Sequence, residues 1–168
     1  MNKIQRFCQA WLIGCGVLFA QLAQAQAYPN QPIRLMVPWP PGGGVDTTAR
    51  MLVEPLGRKL GQPVVIDNRA GAGGNIGTEM AARAKPDGYN LLMGSISPNA
   101  INVHLYPKLP FDLIKDFTPI AFVSSLPIFL VVPANSPFQT LSDLLAFAQR
   151  NPSKLTYGSG GVGSSQHL

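Results

Sequence analysis

The sequence predicts an α/β fold in which helices cover a parallel sheet. Three observations indicate this: short apolar runs recur along the chain, helical patterns follow them, and glycine-rich turns separate the two. Strands that alternate with helices through short connections form parallel sheets with right-handed crossovers. Ligands of such sheets bind at the carboxyl ends of the strands, and the glycine turns are predicted at that edge.

The first strand, the first helix and the second strand follow one another closely. Residues 33–37 form an apolar run typical of a buried strand, and apolar residues recur at helical spacing over residues 46–60. Pro55 lies inside this helical pattern and predicts a kink or a split into two pieces. Gly61 ends the helix, and residues 63–67 predict the second strand.

The same order of elements is then repeated. A second glycine turn at residues 71–77 leads into a helix, which the turn residues 85–88 stop. Residues 89–93 predict the third strand, and a third glycine-containing turn at residues 94–99 leads into a short helix at residues 99–104. Together these elements make a β-α-β-α-β unit.

Two further apolar runs predict strands that pass from one domain to another. Residues 120–123 and 128–132 are apolar, and a polar and proline-containing segment, residues 124–127, separates them. Residues 154–157 predict a last strand, which ends in a fourth glycine turn at residues 158–165.

A helix is predicted at residues 140–150, between these strands. Thr140 or Ser142 can serve as its N-cap. The apolar residues expected on its inward side are Leu141, Leu144, Leu145 and Ala148.

The first 27 residues are typical of a secretory signal peptide. Lys3 and Arg6 form a basic start, residues 10–20 are apolar but too short to span a bilayer, and A-x-A sites end at Ala25 and Ala27. We therefore expect a mature chain of about 141 residues that functions outside the cytoplasm.

Both cysteines lie in this leader. Removal of Cys8 and Cys15 leaves no disulfide and no thiol chemistry in the mature chain. Residues 12–15 resemble a lipoprotein attachment box. A lipid anchor at Cys15 is nevertheless not expected, because further apolar sequence and the A-x-A sites follow it.

Charge and composition argue against several classes of partner. The net charge of +5 falls to +3 when Lys3 and Arg6 leave with the leader. The basic residues are scattered and not interleaved with aromatic residues, so no nucleic acid partner is expected. The two histidines, His104 and His167, lie far apart and lack cysteine or acidic partners at ligand spacing, so neither a metal nor another cofactor is expected.

Nucleophilic catalysis is not expected either. His167 follows Ser164 and Ser165, yet the sequence has no G-x-S-x-G elbow and no acid placed to orient the histidine. We therefore expect a protein that is not an enzyme and has no catalytic residues.

The loop at residues 41–46 has the composition of an anion site. It reads Pro-Gly-Gly-Gly-Val-Asp and joins the first strand to the first helix. Glycines let a ligand approach the backbone, and the start of a helix offers unpaired N–H groups and a partial positive charge. The loop therefore predicts an anion site, with an ordinary tight turn as the alternative.

Motifs along most of the chain point to one family. They occupy residues 41–46 (PGGGVD), 61–74 (GQPVVIDNRAGAGG), 86–89 (PDGY), 105–112 (LYPKLPFD), 115–117 (KDF) and 157–164 (YGSGGVGS). With these motifs in this order, the chain resembles the tripartite tricarboxylate transporter receptors, or Bug family, of periplasmic solute-binding proteins. It departs from the family at Pro55, in a helix that is usually uninterrupted, and at Val103, where a proline is frequent.

The resemblance implies a periplasmic-binding-protein-like fold of type II, the two-lobe Venus flytrap. Residues 28–122 are expected to form the first lobe and residues 123–168 the start of the second. The second lobe is expected to be incomplete, because the chain of a family member continues well beyond the position of residue 168.

The resemblance also implies capture of a small carboxylate for membrane transporter subunits, without chemistry. The ligand class is a di- or tricarboxylate, an acidic amino acid or an aromatic acid. In related proteins backbone amides and ordered waters of the first lobe hold the carboxylate, and the facing lobe contacts the far end of the ligand. The ligand-binding residues carried over to this chain are Pro41, Gly42, Gly43, Gly44, Asp46, Ser95, Ser97, Asn99, Ser159, Gly161, Gly163, Ser164 and Ser165.

Three side chains near these loops each have two possible roles. Asp46 would repel a bound carboxylate, so capping of the first helix is expected, with contact to a ligand amino group, hydroxyl group or water as the alternative. Trp39 either lines the cleft or packs beneath the loop, and packing is the more common role. Arg69 follows the second strand but is expected to be exposed.

The rival function from another class is that of a dinucleotide-binding oxidoreductase. Residues 158–163 form a G-x-G-x-x-G motif after a predicted strand and before a predicted helix. The acidic partner expected about 20 positions later falls outside the sequence. Export argues against a nicotinamide cofactor, and a structural or adhesive role would not require three glycine turns at one sheet edge.

Overall fold

The fold is built around a three-stranded parallel sheet. In the computed structural model, which describes residues 28–168, β1 (Ile33–Val37) lies between β2 (Val64–Asn68) and β3 (Asn90–Leu92). Both neighbours run parallel to β1. This topology confirms the predicted α/β fold. The predicted signal peptide, with both cysteines, lies outside the described residues.

A cluster of buried apolar residues lies on one face of this sheet. Leu35 pairs with a residue of β2 on one side and a residue of β3 on the other. Leu35 and Val37 are buried with Ala49 of the first helix and with Met93. Alternate residues of a strand point to the same face, so the apolar run at β1 supplies the centre of the core.

The first helix, α1 (Gly44–Leu60), passes through Pro55 as a single element. The predicted split is therefore wrong. Proline removes one backbone hydrogen bond, here to the carbonyl of Met51. Met51 is 72% exposed, so water can hydrate that carbonyl. The predicted end of the helix is confirmed, because Gly61 caps it with a φ of +68°.

The second helix, α2 (Asn75–Ala82), follows a 3-10 turn (Ala72–Gly74). Gly77 allows this helix to approach the residues that follow β1 and β2, since a Cβ there would lie 2.8 Å from Pro38 Cα and 2.6 Å from the carbonyl oxygen of Arg69. The short helix predicted after β3 is a π-helical turn (Ser97–Ile101) continued by α3 (Asn102–Leu105).

The strands predicted at residues 120–123, 128–132 and 154–157 are wrong. In the part of the chain that the structure describes, no strand follows β3. A strand needs a neighbour that accepts and donates its backbone hydrogen bonds, and none of the described residues offers one to these segments. Their apolar side chains are largely exposed.

The last helix, α4 (Leu141–Arg150), confirms the helix predicted here. Thr140 is its N-cap and forms a capping box with Asp143: the Asp143 N–H donates to Thr140 Oγ1 (3.2 Å), and the Thr140 N–H donates to Asp143 Oδ2 (2.9 Å). The predicted inward positions of Leu141 and Leu145 are wrong, because both side chains are exposed. Leu144 and Ala148 are partly buried.

Residues 31–168 cluster as one compact unit. The boundary between lobes at residues 122 and 123 therefore stays a prediction. Among residues 28–168, no helix is both long and apolar enough to cross a membrane.

Candidate functional site

The 41–46 loop presents exposed backbone at the start of α1. Pro41 and the three following glycines are all exposed. Gly43 is the extended N-cap residue, and Gly42 has a φ of +85°, which favours glycine. The N–H groups of the first helical turn have no acceptors within the helix. The loop can therefore offer several donors to one anion.

The buried side chain of Asp46 holds this loop through a hydrogen bond to its backbone. It is fully buried as the third residue of α1, so Gly43, not Asp46, occupies the N-cap position. Asp46 Oδ2 accepts hydrogen bonds from the Gly42 N–H and from Arg50 Nε, both at 2.8 Å. Asp46 Oδ1 accepts one from Asn68 Nδ2 at 2.9 Å. Both carboxylate oxygens are thus engaged by the protein itself.

Three donors keep Asp46 ionised. The hydrogen bond from Arg50, followed by those from Gly42 and Asn68, holds the pKa of the Asp46 carboxyl well below its usual range. Asn68 ends β2, and its Nδ2 also donates to the carbonyl oxygen of Trp39 at 3.0 Å. Asn68 was not among the predicted site residues. Its position at the carboxyl end of a strand beside β1 was the available signal.

The 95–99 loop lies at the end of β3. Ser95 is half-buried, and its Oγ accepts a hydrogen bond from Trp39 Nε1 at 2.8 Å. The Trp39 ring packs against the core, which confirms the expected packing role. Asn99 is exposed, whereas Ser97 is buried and accepts a hydrogen bond from the Ser165 N–H at 3.1 Å.

The 158–165 loop contains exposed and buried residues. Ser159 and Gly161 are exposed, and Ser159 Oγ accepts a hydrogen bond from the Gly161 N–H at 3.2 Å. Gly163 and Ser164 are buried. Among the described residues, Ser164 Oγ has no hydrogen-bond partner.

The structure joins some of the predicted ligand loops directly. The hydrogen bond between Ser97 and Ser165 connects the 95–99 loop to the 158–165 loop. The 41–46 loop reaches the 95–99 loop indirectly, through Trp39 and Ser95. Among residues 28–168, no hydrogen bond joins the 41–46 loop to the 158–165 loop. The set of ligand-binding residues stays a prediction.

An apolar side chain lies beside the helix start. A Cβ at Gly44 would be 3.0 Å from Leu126 Cδ1. Leu126 belongs to the segment predicted to connect the two lobes. The sequence analysis did not identify it, because one leucine in a polar linker has no distinguishing pattern.

Two residues considered for other roles are Arg69 and His167. Arg69 Nε donates to Asp67 at 2.9 Å and is exposed, as expected. His167 Nδ1 lies 3.1 Å from Ser159 Oγ, and the His167 backbone N–H donates to the Ser164 carbonyl oxygen at 3.0 Å. Within residues 28–168, no group of three or more histidine, cysteine or acidic side chains could hold a metal ion.

The dinucleotide motif lacks the strand that should precede it. A dinucleotide site needs a strand before the glycine loop and a helix after it. Residues 154–157 are not a strand, so the expectation of a strand before residues 158–163 is wrong. The helix expected to begin at residue 168 stays a prediction.

Comparison with known proteins adds independent information. The family model described as "Tripartite tricarboxylate transporter family receptor" matches residues 48–168. A UPF0065 protein of Pseudomonas sp. (strain P51) is 43% identical over 142 residues, which cover 84% of this chain and 42% of that relative. BugT of Bordetella pertussis is 39% identical over 161 residues, which cover 94% of this chain and 49% of BugT.

Solved structures are similar as well. An R. palustris structure with adipate has 34% identity and a TM-score of 0.79, and the match covers 83% of this chain and 47% of that one. MatC from Rhodopseudomonas palustris, with bound malate, has 34% identity and a TM-score of 0.69, and the match covers 73% and 42%.

The chain spans just under half the length of the relatives it matches. The family model nevertheless covers most of the chain, and the motifs and the α/β fold agree with it. The chain therefore belongs to the tripartite tricarboxylate transporter receptors, the Bug family of solute-binding proteins.

Proposed function

We propose that this chain takes part in extracytoplasmic capture of a small carboxylate, which is passed to membrane transporter subunits without chemical change. One observation carries the proposal: exposed glycine backbone forms the start of α1 at the carboxyl end of β1. The similar structures with adipate and with malate support the same ligand class. The leader-like first 27 residues and the family support a periplasmic location.

The energetics favour a carboxylate over a neutral ligand. Each charge-assisted hydrogen bond from a backbone N–H is worth about 1.5–3 kcal/mol net. The helix N-terminus adds about 0.3–1 kcal/mol for a negative charge. A micromolar complex requires about 8 kcal/mol, so a few well-placed donors suffice without an arginine.

Asp46 prepares the loop without repelling the ligand. Its carboxylate is fully buried, and Arg50 offsets its charge. The hydrogen bond from Gly42 fixes the backbone immediately before Gly43 and Gly44. Donors that are already in place need no reorganisation when the anion arrives, and this preorganisation favours binding.

Burial divides the predicted ligand residues into two groups. We propose that the exposed and half-exposed residues contact the ligand or its waters, and that the buried residues shape the loops. The first group contains Pro41, Gly42, Gly43, Gly44, Ser95, Asn99, Ser159 and Gly161, and the second contains Asp46, Ser97, Gly163 and Ser164. Ser165 is partly buried, and its N–H is engaged by Ser97.

Substitution of Gly43 by valine tests the proposal. A Cβ at Gly43 would lie 3.6 Å from the Pro40 carbonyl oxygen, an ordinary contact, so the fold should tolerate the change. The branched side chain would nevertheless cover the neighbouring amides. Gly158→Val is the matched control, because no atom lies within 4 Å of its Cβ position.

The measurement is an NMR titration of the full chain with adipate and with malate, following the backbone amide of Gly44. We expect saturable shifts in the unaltered chain and in Gly158→Val, and none in Gly43→Val. Absence of shifts in the unaltered chain, or undiminished shifts in Gly43→Val, would refute carboxylate capture by this loop.

A further inference from the structure

Asn102 lies fully buried between two glycine-containing segments. Its Nδ2 donates to the carbonyl oxygen of Gly73 at 3.1 Å and to Asn75 Oδ1 at 2.7 Å. Both amide hydrogens are therefore used on the side of the second glycine turn. Asn102 Oδ1 points towards the 158–165 loop, where a Cβ at Gly163 would lie only 2.7 Å from it.

Two glycines make this close approach possible. Gly73 has a φ of +62°, and a Cβ there would lie 2.9 Å from the carbonyl oxygen of Val162. Gly163 has a φ of +85°. Neither position admits a side chain without strain and a clash. The backbones of the two turns thus meet on either side of the Asn102 amide.

Two hydrogen bonds hold the same loop from neighbouring positions. The Ser165 N–H donates to Ser97 Oγ at 3.1 Å, and the Tyr106 hydroxyl donates to the carbonyl oxygen of Val162 at 3.3 Å. Ser97, Asn102 and Tyr106 all belong to one short segment, residues 97–106, and all three contact the 158–165 loop. Asn102 lies in the middle of this segment and also hydrogen-bonds to the second glycine turn.

We propose that Asn102 is a positioning residue that clasps the 158–165 loop onto residues 97–106 and so fixes where Ser159 and Gly161 stand. The ligand role of that loop rests on the proposed function. The Oδ1 atom, which has no hydrogen-bond partner among the described residues, fits this role because it lies against the Gly163 backbone, where a Cα–H can approach it. A loop that is already in place needs less ordering when a ligand binds.

Amide hydrogen exchange of the full chain, without ligand, tests the clasp. The Ser165 N–H reports on the loop, and the Arg69 and Met93 N–H groups, which donate to β1 carbonyls at 2.8 Å, report on the sheet. In Asn102→Ala we expect Ser165 to exchange at least about tenfold faster while the two sheet amides change much less, since a local opening leaves the sheet closed. Asn151→Ala is the control, because the hydrogen-bond partners of this asparagine among the described residues are Phe147, Ala148 and Lys154, at the end of α4 and away from the 158–165 loop.

Gly163→Ala provides a second variant in case Asn102→Ala fails to fold. It leaves Asn102 intact but inserts a methyl group against Oδ1, and it should release the Ser165 amide in the same way. Three outcomes would overturn the clasp. The loop and sheet amides could be accelerated equally, the exchange of Ser165 could be unchanged in both variants, or Ser165 could be unprotected in the unaltered chain.

A titration with adipate separates this inference from the proposed function. With a working clasp, Asn102→Ala should weaken adipate binding several-fold while the shift at the Gly44 amide is retained. If the unaltered chain does not bind adipate or malate, the proposed function fails, and the exchange result alone still decides whether Asn102 holds the loop.

Discussion

Substitution of Asp46 by asparagine should be among the most damaging changes near the ligand edge. The buried carboxylate accepts hydrogen bonds from the Gly42 N–H, from Arg50 and from Asn68, at 2.8–2.9 Å. An asparagine of the same shape turns one acceptor oxygen into an NH₂ group, which then faces a donor. The negative charge that Arg50 pairs with is lost as well.

The expected loss is about 3 kcal/mol of the free energy of unfolding. A hydrogen bond to a charged group contributes about 1.5–3 kcal/mol, and a buried donor left without an acceptor costs about 1–3 kcal/mol. An asparagine keeps one acceptor and therefore part of the network. Arg50 is more than half exposed, so water can solvate it after the change, and we assign its ion pair no separate share.

Urea denaturation at several pH values measures this loss and its origin. The folded-state pKa of Asp46 is depressed below that of the unfolded chain, so its stabilisation is fully present above about pH 4, near the ordinary aspartate pKa. It is lost as the pH falls through the lower folded-state value. The difference between Asp46→Asn and the unaltered chain should therefore be largest at neutral pH and shrink in acid.

Glu54→Gln is the matched control for Asp46→Asn. Glu54 lies on the same helix and also pairs with an arginine four residues later, Arg58, but its side chain is exposed. Its substitution should leave the unfolding midpoint almost unchanged. A loss below about 1 kcal/mol for Asp46→Asn, the lower bound for an unmade buried hydrogen bond, would refute the bracing role. So would a loss that does not depend on pH.

Three further predictions follow from packing, capping and exposure. Gly77→Ala should lower stability by about 3 kcal/mol or more in thermal melts, because its Cβ would press on rigid backbone, whereas Gly158→Ala should be neutral; equal melting of the two variants would contradict this. Thr140→Ala should lower the stability of α4 by about 1 kcal/mol. The helical Cα chemical shifts of α4 should then decrease, and unchanged shifts would count against the capping box. The chain should self-associate in sedimentation through the exposed apolar residues of segment 120–132; a monomer at all concentrations would disprove this expectation.

The sheet was predictable because its signals are local. Each strand is an apolar run between glycine or proline turns, and β1 pairs with β2 and β3 across short crossovers. The segment at residues 128–132 carries an equally apolar run yet forms no strand. A strand depends on a hydrogen-bonding neighbour, and sequence composition does not say whether one is present.

The candidate site also contains residues with local sequence signals and residues that depend on distant partners. The exposed glycine turn at residues 41–46 and the helix after it could be predicted from composition, whereas ligand binding by this loop stays a prediction. Asn102 could not be predicted in this way, because its partners lie 27 to 29 residues away in sequence and it is a single polar residue without a spacing pattern. Asn68 offered one usable signal, its place at the carboxyl end of a predicted strand. Pro55 shows the opposite error. Its strong local signal predicted a split helix, but the helix continues, because water can hydrate the Met51 carbonyl that loses its hydrogen bond.

The environment of Trp39 gives this chain a built-in optical probe. Trp39 is the one tryptophan among residues 28–168. Its indole N–H is bonded to Ser95, its carbonyl oxygen accepts a hydrogen bond from Asn68, and its ring lies beside Gly74. In a chain without the leader, which contains Trp11, fluorescence from the Trp39 indole therefore senses β2, the second glycine turn and the 95–99 loop together. Ligand entry and loop release at this edge of the sheet can be followed by emission intensity and quenching in unlabelled protein.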